Sequence, residues 1–216
     1  IVLLGGVGSG KSTIVEKLTG ATGRSSDQIT SFTKSSKAYE SLDKQMIICD
    51  TPGSDAMDEQ FEHNLNIAHA LNFKPVTCIL MVIKADTRID RVVKDIKEYA
   101  EAFLPEDLPF GLLGVCITHM DKNEVKWEKR DLLPHLQKHC ETDTAIFTSL
   151  ETSAARLSGD ILFECKKKRP LELSIDGDLF LRLFRIGDDG IKIMRQCRKE
   201  VSHFKTMKQN FYEAKM

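Results

Sequence analysis

At 216 residues the chain has room for one domain plus an appendage, and enough length to bury a substantial core. Its 31 basic and 32 acidic residues nearly cancel, giving a formal charge of -1, so bulk charge offers no case for nucleic acid or strong membrane attraction. The six cysteines are scattered without a Cys-x-x-Cys pair, which disfavours a disulfide framework and points to a reducing, cytoplasmic compartment.

Short apolar runs alternate with helical patterns, the rhythm of an α/β domain. Ile1 already stands inside the strand pattern IVLLGG, so the sequence reads as a piece of a longer chain. That strand stops at glycines, and KSTIVEKLTG continues as a helix closed by Gly20. A polar stretch from Ala21 to Ser36 lacks periodicity and is expected to be a long functional loop. The runs KAYESL and QMIICD, joined by Asp43-Lys44, form an antiparallel hairpin on this reading. Phe61, Leu65, Ala68 and Leu71 mark a helix face, and Val76 to Ile83 a buried strand. The clearest helix carries Ile89, Val92, Val93, Ile96, Tyr99, Ala100 and Phe103. The strand GLLGVCIT follows, then a helix over Val125 to His139 with Pro134 as a kink or break, and the strand TAIFTS. Beyond Gly159 the rhythm changes: DILFECKKKRP suggests a short helix, and Leu171, Leu173 and Ile175 alternate. No run reaches the roughly 18 apolar residues of a spanning helix. The expected architecture is a doubly wound, three-layer α/β/α domain with a mostly parallel sheet over residues 1–168, and a helical extension over 169–216.

The stretch GGVGSGKS, from Gly5 to Ser12, satisfies G-x-x-x-x-G-K-[ST] between a strand and a helix. A polyanionic phosphate needs many donors at short range. Gly5, Val7, Gly8, Ser9, Gly10 and Thr13 supply backbone N–H groups around it, at the positive end of a helix. Lys11 adds the point charge for the β- and γ-phosphates and Ser12 a hydroxyl ligand for Mg²⁺. At the end of a later strand, CITHMDK is similar to the Asn/Thr-Lys-x-Asp element of Ras-like GTPases, with Thr118 and Asp121 in place and His119 replacing the Lys. A carboxylate accepts from guanine N1 and N2, and rejects adenine by leaving groups unpaired. The second base contact falls on Ser149 or on Ser153-Ala154, with the letters ETSA favouring the latter.

In order, phosphate loop, polar loop, hairpin, Asp50-Thr51-Pro52-Gly53, helix, strand and Thr-x-x-Asp resemble the TRAFAC-class GTPases. Within that class, SFTKSS before MIICDTPG and the VIKADTRID junction resemble the immunity-associated nucleotide-binding (GIMAP/IAN-like) GTPases, relatives of septins and chloroplast Toc receptors. His119 and the missing Gly-Arg pair in KADTRID depart from that pattern. The resemblance implies a GTP/GDP- and Mg²⁺-dependent module that forms homodimers or oligomers when GTP-bound, often at a membrane surface. It implies that Thr33, with Thr30 as the alternative, closes on Mg²⁺ and γ-phosphate. Asp50 would hold the metal through water, and the Gly53 N–H would touch the γ-phosphate. Loss of that phosphate would release both loops.

Ser54 stands where Ras-like GTPases carry the Gln that orients the attacking water, and its short side chain implies slow hydrolysis in the monomer. Arg88 or Arg91 is then the candidate donated in trans, and Glu59, Gln60 and His63 are further candidates. Three functions follow. One is a slow GTPase promoted by self-association, the second a GTP-dependent scaffold that barely hydrolyses, and the third an ATP-using protein with Asp50 as a Walker B carboxylate. Farther on, Ile191, Met194, Cys197, Val201, Phe204, Met207 and Phe211 trace an amphipathic helix. It suits packing on the domain, a coiled coil, a protein partner or a membrane surface.

Overall fold

The computed structural model describes residues 1–21, 36–53, 60–103, 111–121, 127–166 and 168–175. Thr30, Thr33, Ser54, Glu59 and the stripe from Ile191 to Phe211 lie outside them, as do the side chains of Gln60 and His63. Among the described residues, β1 (Val2–Leu4), β2 (Lys37–Glu40), β3 (Ile47–Asp50), β4 (Ile79–Lys84), β5 (Leu113–Thr118) and β6 (Ala145–Phe147) form one sheet in the order β2-β3-β1-β4-β5-β6. Only β2 runs antiparallel, paired with β3 from Lys37 opposite Asp50 to Glu40 opposite Ile47. The other neighbours are parallel, as crossover helices on both faces require.

Side chains alternate across each strand, and this decides which helices cover which face. Leu3, Ile48, Leu80, Val82 and Cys116 point to one side, under α1 (Lys11–Thr19) and α5 (Ala154–Cys165). Val2, Leu4, Ile79, Met81, Val115 and Ile117 point to the other, under α2 (Gln60–Phe73), α3 (Ile89–Phe103) and α4 (Lys129–Cys140). The result is the expected three-layer, mostly parallel arrangement.

Four local expectations are revised. The strand placed from Val76 begins at Ile79, because Val76 instead exchanges backbone hydrogen bonds with Leu171 at 2.7 and 2.9 Å. On α2 the inward face is Asn64, Ile67, Ala68 and Leu71, and Leu65 is 54% exposed. An apolar letter does not fix a face when a neighbouring row buries as well. The helix placed from Val125 starts at Lys129, where the Asp131 carboxylate accepts from the Glu128 N–H at 2.8 Å, and it runs through Pro134 unbroken. Finally, α5 begins at Ala154 rather than near Asp160, because Ser153 caps it by accepting from the Arg156 N–H.

The segment after α5 returns to the domain. The Ile175 N–H donates to Asn72 Oδ1 at 2.8 Å, Asn72 Nδ2 donates to the Ile175 carbonyl at 3.0 Å, and Ile175 is buried in the α2–α4 face of the core.

Candidate functional site

The site lies at the carboxyl ends of the strands. The chain leaves β1 at Leu4, turns through Gly5 to Gly10 and enters α1 at Lys11. Gly10, with φ 96°, occupies the left-handed region at the first cap of α1, where a side chain would be strained. Lys11 is buried, and its ammonium donates to the carbonyls of Gly5 and Gly6 at 2.7 and 2.8 Å. Ser12 Oγ donates to Asp50 Oδ2 at 3.4 Å, across from the end of β3, and Asp50 is 1% exposed. A hydroxyl beside a carboxylate is a hard-oxygen pair of the kind Mg²⁺ accepts, with phosphate oxygens and waters to complete its shell.

The Asp50-Thr51-Pro52-Gly53 segment is seated against this loop. Thr51 Oγ1 donates to the Leu3 carbonyl. A Cβ on Gly53 would stand 2.6 Å from Val7 Cγ2, 2.9 Å from Val7 N and 3.0 Å from Val7 Cα. Two of those atoms are backbone and cannot rotate aside. Gly53→Ala is therefore expected to cost about 1–3 kcal/mol through overpacking, visible as a Tm lowered by several degrees. An unchanged melting curve would contradict the close packing described here.

A second cavity adjoins the phosphate loop along α1. Gly10, Thr13 and Lys17 form one wall, Thr118, His119 and Asp121 a second, and Thr148, Ser149 and Leu150 a third. Thr118 Oγ1 donates to the Ser9 carbonyl at 2.7 Å, pinning the end of β5 to the phosphate loop. His119 takes the left-handed conformation at φ 57°, with Nδ1 2.8 Å from Thr118 Oγ1. Asp121 stands exposed at the rim.

Ser153 and Ala154 do not line this cavity, since they are spent on starting α5; the third wall is Thr148 to Leu150, one turn of chain earlier. Sequence reading also passed over Lys17. Its ammonium donates to the carbonyls of Ser149, Leu150 and Thr152 at 2.7, 2.8 and 2.8 Å. Burial lowers its pKa, opposed by the Asp121 carboxylate. The available signal was its position one turn beyond Thr13 on α1.

Arg88 stands outside this cavity at the approach to α3. Its guanidinium engages both carboxylate oxygens of Asp90, while its N–H donates to Asp86 Oδ1 at 3.0 Å. Arg91 pairs with Asp86 at 3.2 Å. A larger groove of about 490 Å³ lies at the opposite, amino-terminal ends of the strands, lined by Ile1, Ile47, Phe73, Pro75, Val76 and Cys165 among others. Its apolar lining offers little to a polyanion, and none of the residues above reaches it.

A family model described as 50S ribosome-binding GTPase matches residues 1–113. No curated protein matches the chain in sequence. Among solved structures, a probable GTP-binding protein engB superposes with a TM-score of 0.52 at 19% identity, covering 77% of this chain and 98% of its own. A variant of NFeoB from S. thermophilus bound to GDP.AlF4- superposes at 0.53 and 18% identity, covering 76% of this chain and 63% of its own. A GTP-binding protein from the archaeon Sulfolobus solfataricus in complex with GDP gives 0.54 and 16%, covering 77% and 52%. This chain thus spans less than two thirds of the last two. At such identities the superpositions speak to the fold.

Proposed function

We propose, for a chain that belongs to the 50S ribosome-binding GTPase family of P-loop GTPases, a GTP- and Mg²⁺-dependent switch whose hydrolysis is slow in the monomer and rises on self-association. The observation that carries this reading is the Thr118–Ser9 hydrogen bond, 2.7 Å long. It joins a cavity bordered by a carboxylate to a loop of phosphate-facing amides, so that a purine and its anionic tail are held by one rigid unit.

On this reading Lys11 and the amides from Gly5 to Thr13 hold the β- and γ-phosphates. Ser12, Asp50 and Thr33 would hold Mg²⁺, which when bound would supply charge neutralisation on the transferred phosphoryl group. Gly53, packed on Val7, carries the γ-phosphate signal to the segment containing Ser54. Asp121 reads guanine N1 and N2, and His119 covers the base. Lacking a long amide at Ser54, the monomer positions water poorly, and Arg88 of a second copy would supply the missing charge. Such arginines are worth about 10³–10⁵ in rate. The finer placement with the immunity-associated, septin-related group rests on the SFTKSS and VIKADTRID patterns, and with it comes the proposal of GTP-dependent assembly.

One observation favours a second reading, a GTP-dependent scaffold that barely hydrolyses. Arg88 is already forked onto Asp90 at its own helix start, and must leave that carboxylate to act in trans. Single-turnover hydrolysis over a wide range of protein concentration separates the two. A rate that climbs with concentration, together with a larger mass in a non-hydrolysable GTP analogue than in GDP, is the expected result. A flat rate near background with the same mass change would select the scaffold. No mass change at all would remove self-association from both.

A further inference from the structure

Lys17 spends all three of its ammonium donors on one loop. The acceptors are the carbonyls of Ser149, Leu150 and Thr152, which lie more than 130 positions away in the chain. Surface lysines on helices do not ordinarily surrender their rotamer freedom to three backbone acceptors, since ordering so long a side chain costs conformational entropy. Here the tripod closes the space between α1 and the β6–α5 loop, and the three oxygens are drawn toward α1.

The consequence is directional. A trans peptide is planar, so the carbonyl of one residue and the N–H of the next point opposite ways. Anchoring the Ser149 oxygen on Lys17 therefore fixes the direction of the Leu150 N–H. Two neighbouring donors of the loop are engaged: the Ser149 N–H donates to Thr152 Oγ1 at 3.0 Å, and the Thr152 N–H to the Ser149 carbonyl at 3.3 Å. The Leu150 N–H donates to no group among the described residues, and its residue lines the same cavity as Asp121.

We propose that Lys17 is a positioning residue for base recognition: by gripping the Ser149–Leu150 peptide through its oxygen, it holds the Leu150 N–H as a fixed donor for the 6-oxo group of guanine. The inference rests on the reading that this cavity takes guanine, and what it adds is the tether that fixes the second base contact, on the edge away from Asp121. Asp121 accepts from the N1 and N2 edge, whereas a fixed N–H demands an acceptor at position 6. Adenine presents an amino donor there and meets donor with donor. The desolvated ammonium also sits in the field of the Asp121 carboxylate, so the two elements support one another electrostatically.

The test compares ligands that change one edge of the base at a time. 6-Thioguanosine diphosphate keeps N1–H and the 2-amino group but carries a weaker acceptor at position 6. Inosine diphosphate keeps the 6-oxo group and lacks the 2-amino group. Affinities for GDP, 6-thio-GDP, IDP and ADP are measured for the wild-type chain and for Lys17→Met, an uncharged side chain of similar length. The wild type is expected to favour GDP over 6-thio-GDP by about tenfold, the worth of one well-placed hydrogen bond. Lys17→Met is expected to bring that ratio to within about threefold while leaving the GDP-to-IDP ratio within about twofold. Should Lys17→Met fail to fold by circular dichroism, Lys17→Gln, with an amide that reaches fewer carbonyls, is expected to show the same selective loss in weaker form. A variant that keeps the full GDP-to-6-thio-GDP ratio overturns the inference. So does one in which both ratios collapse together, since general loosening of the loop would do that. A wild type with no preference for GDP over ADP overturns the guanine reading itself. Wild-type guanine preference beside an unaffected variant overturns only the role of Lys17.

Discussion

Asp121→Asn is expected to convert a guanine binder into a xanthine binder, with GDP affinity falling by about 10²–10⁴-fold. The carboxylate can accept from both N1–H and the 2-amino group. An amide in its place offers one acceptor and one donor, and the donor then faces the amino group. Xanthine carries a carbonyl at that position, so the same amide pairs with it. The magnitude reflects one charge-assisted hydrogen bond reduced to a neutral one, a second lost, and a donor left opposed to the 2-amino group. Asp121 is exposed at the rim, which screens it until a base covers it and favours the lower part of the range. Titration of both proteins with GDP and with xanthosine diphosphate decides the matter. A variant that still prefers guanine would show that Asp121 is a rim carboxylate and that selectivity resides elsewhere.

What the sequence reveals and what it hides divide along the range of the interactions. Gly5 to Ser12 can be read because each requirement is local: a strand that ends, glycines that turn, a helix that begins at Lys11. The same holds for the sheet, whose buried runs alternate between two helix layers and so declare an α/β domain before any topology is known. Leu65 misled because an apolar residue on α2 is exposed while Asn64 beside it is buried, a choice made by the neighbours of the helix. Ser153 is instructive in another way. A Ser-Ala pair near a strand end satisfies the letters of a base contact, but the hydroxyl of Ser153 serves the first turn of α5. Counting from the end of β6 at Phe147 leads instead to Ser149 and Leu150. Lys17 was passed over for a different reason, although its place one turn beyond Thr13 puts it beside the site. Its partners lie in another part of the chain, and position on a helix does not name them. The pairing of Val76 with Leu171 belongs to the same class, since it is written only in the folded arrangement.

Lys11→Met is the complementary expectation, because it should weaken every nucleotide rather than change the choice among them. Lys11 is 6% exposed, and its ammonium lies between the Gly5 and Gly6 carbonyls at 2.7 and 2.8 Å, so it is confined to the place where a β-phosphate is expected. Removing it leaves a polyanion facing amides alone. Breaking a buried charge pairing costs about 3–5 kcal/mol, which is a loss of about 10²–10³·⁵ in affinity. GTP should suffer more than GDP, since Lys11 serves the γ- as well as the β-phosphate on the proposed reading. Folding stability should also fall, by about 1–3 kcal/mol for each carbonyl left without its donor, less whatever the loop recovers by relaxing toward water. Measuring binding and melting on the same preparation keeps the two losses apart. The phosphate loop and the base cavity are separate contacts held in one frame, so the ratio of GDP to ADP affinity should be unaltered in Lys11→Met and strongly reduced in Asp121→Asn, with the position-6 edge keeping a remainder. The double variant should then show the two losses added in free energy. Strong departure from additivity would mean that the purine and phosphate contacts are energetically coupled rather than separate contacts held in one frame. Nucleotide affinity unchanged in Lys11→Met would remove the phosphate reading altogether.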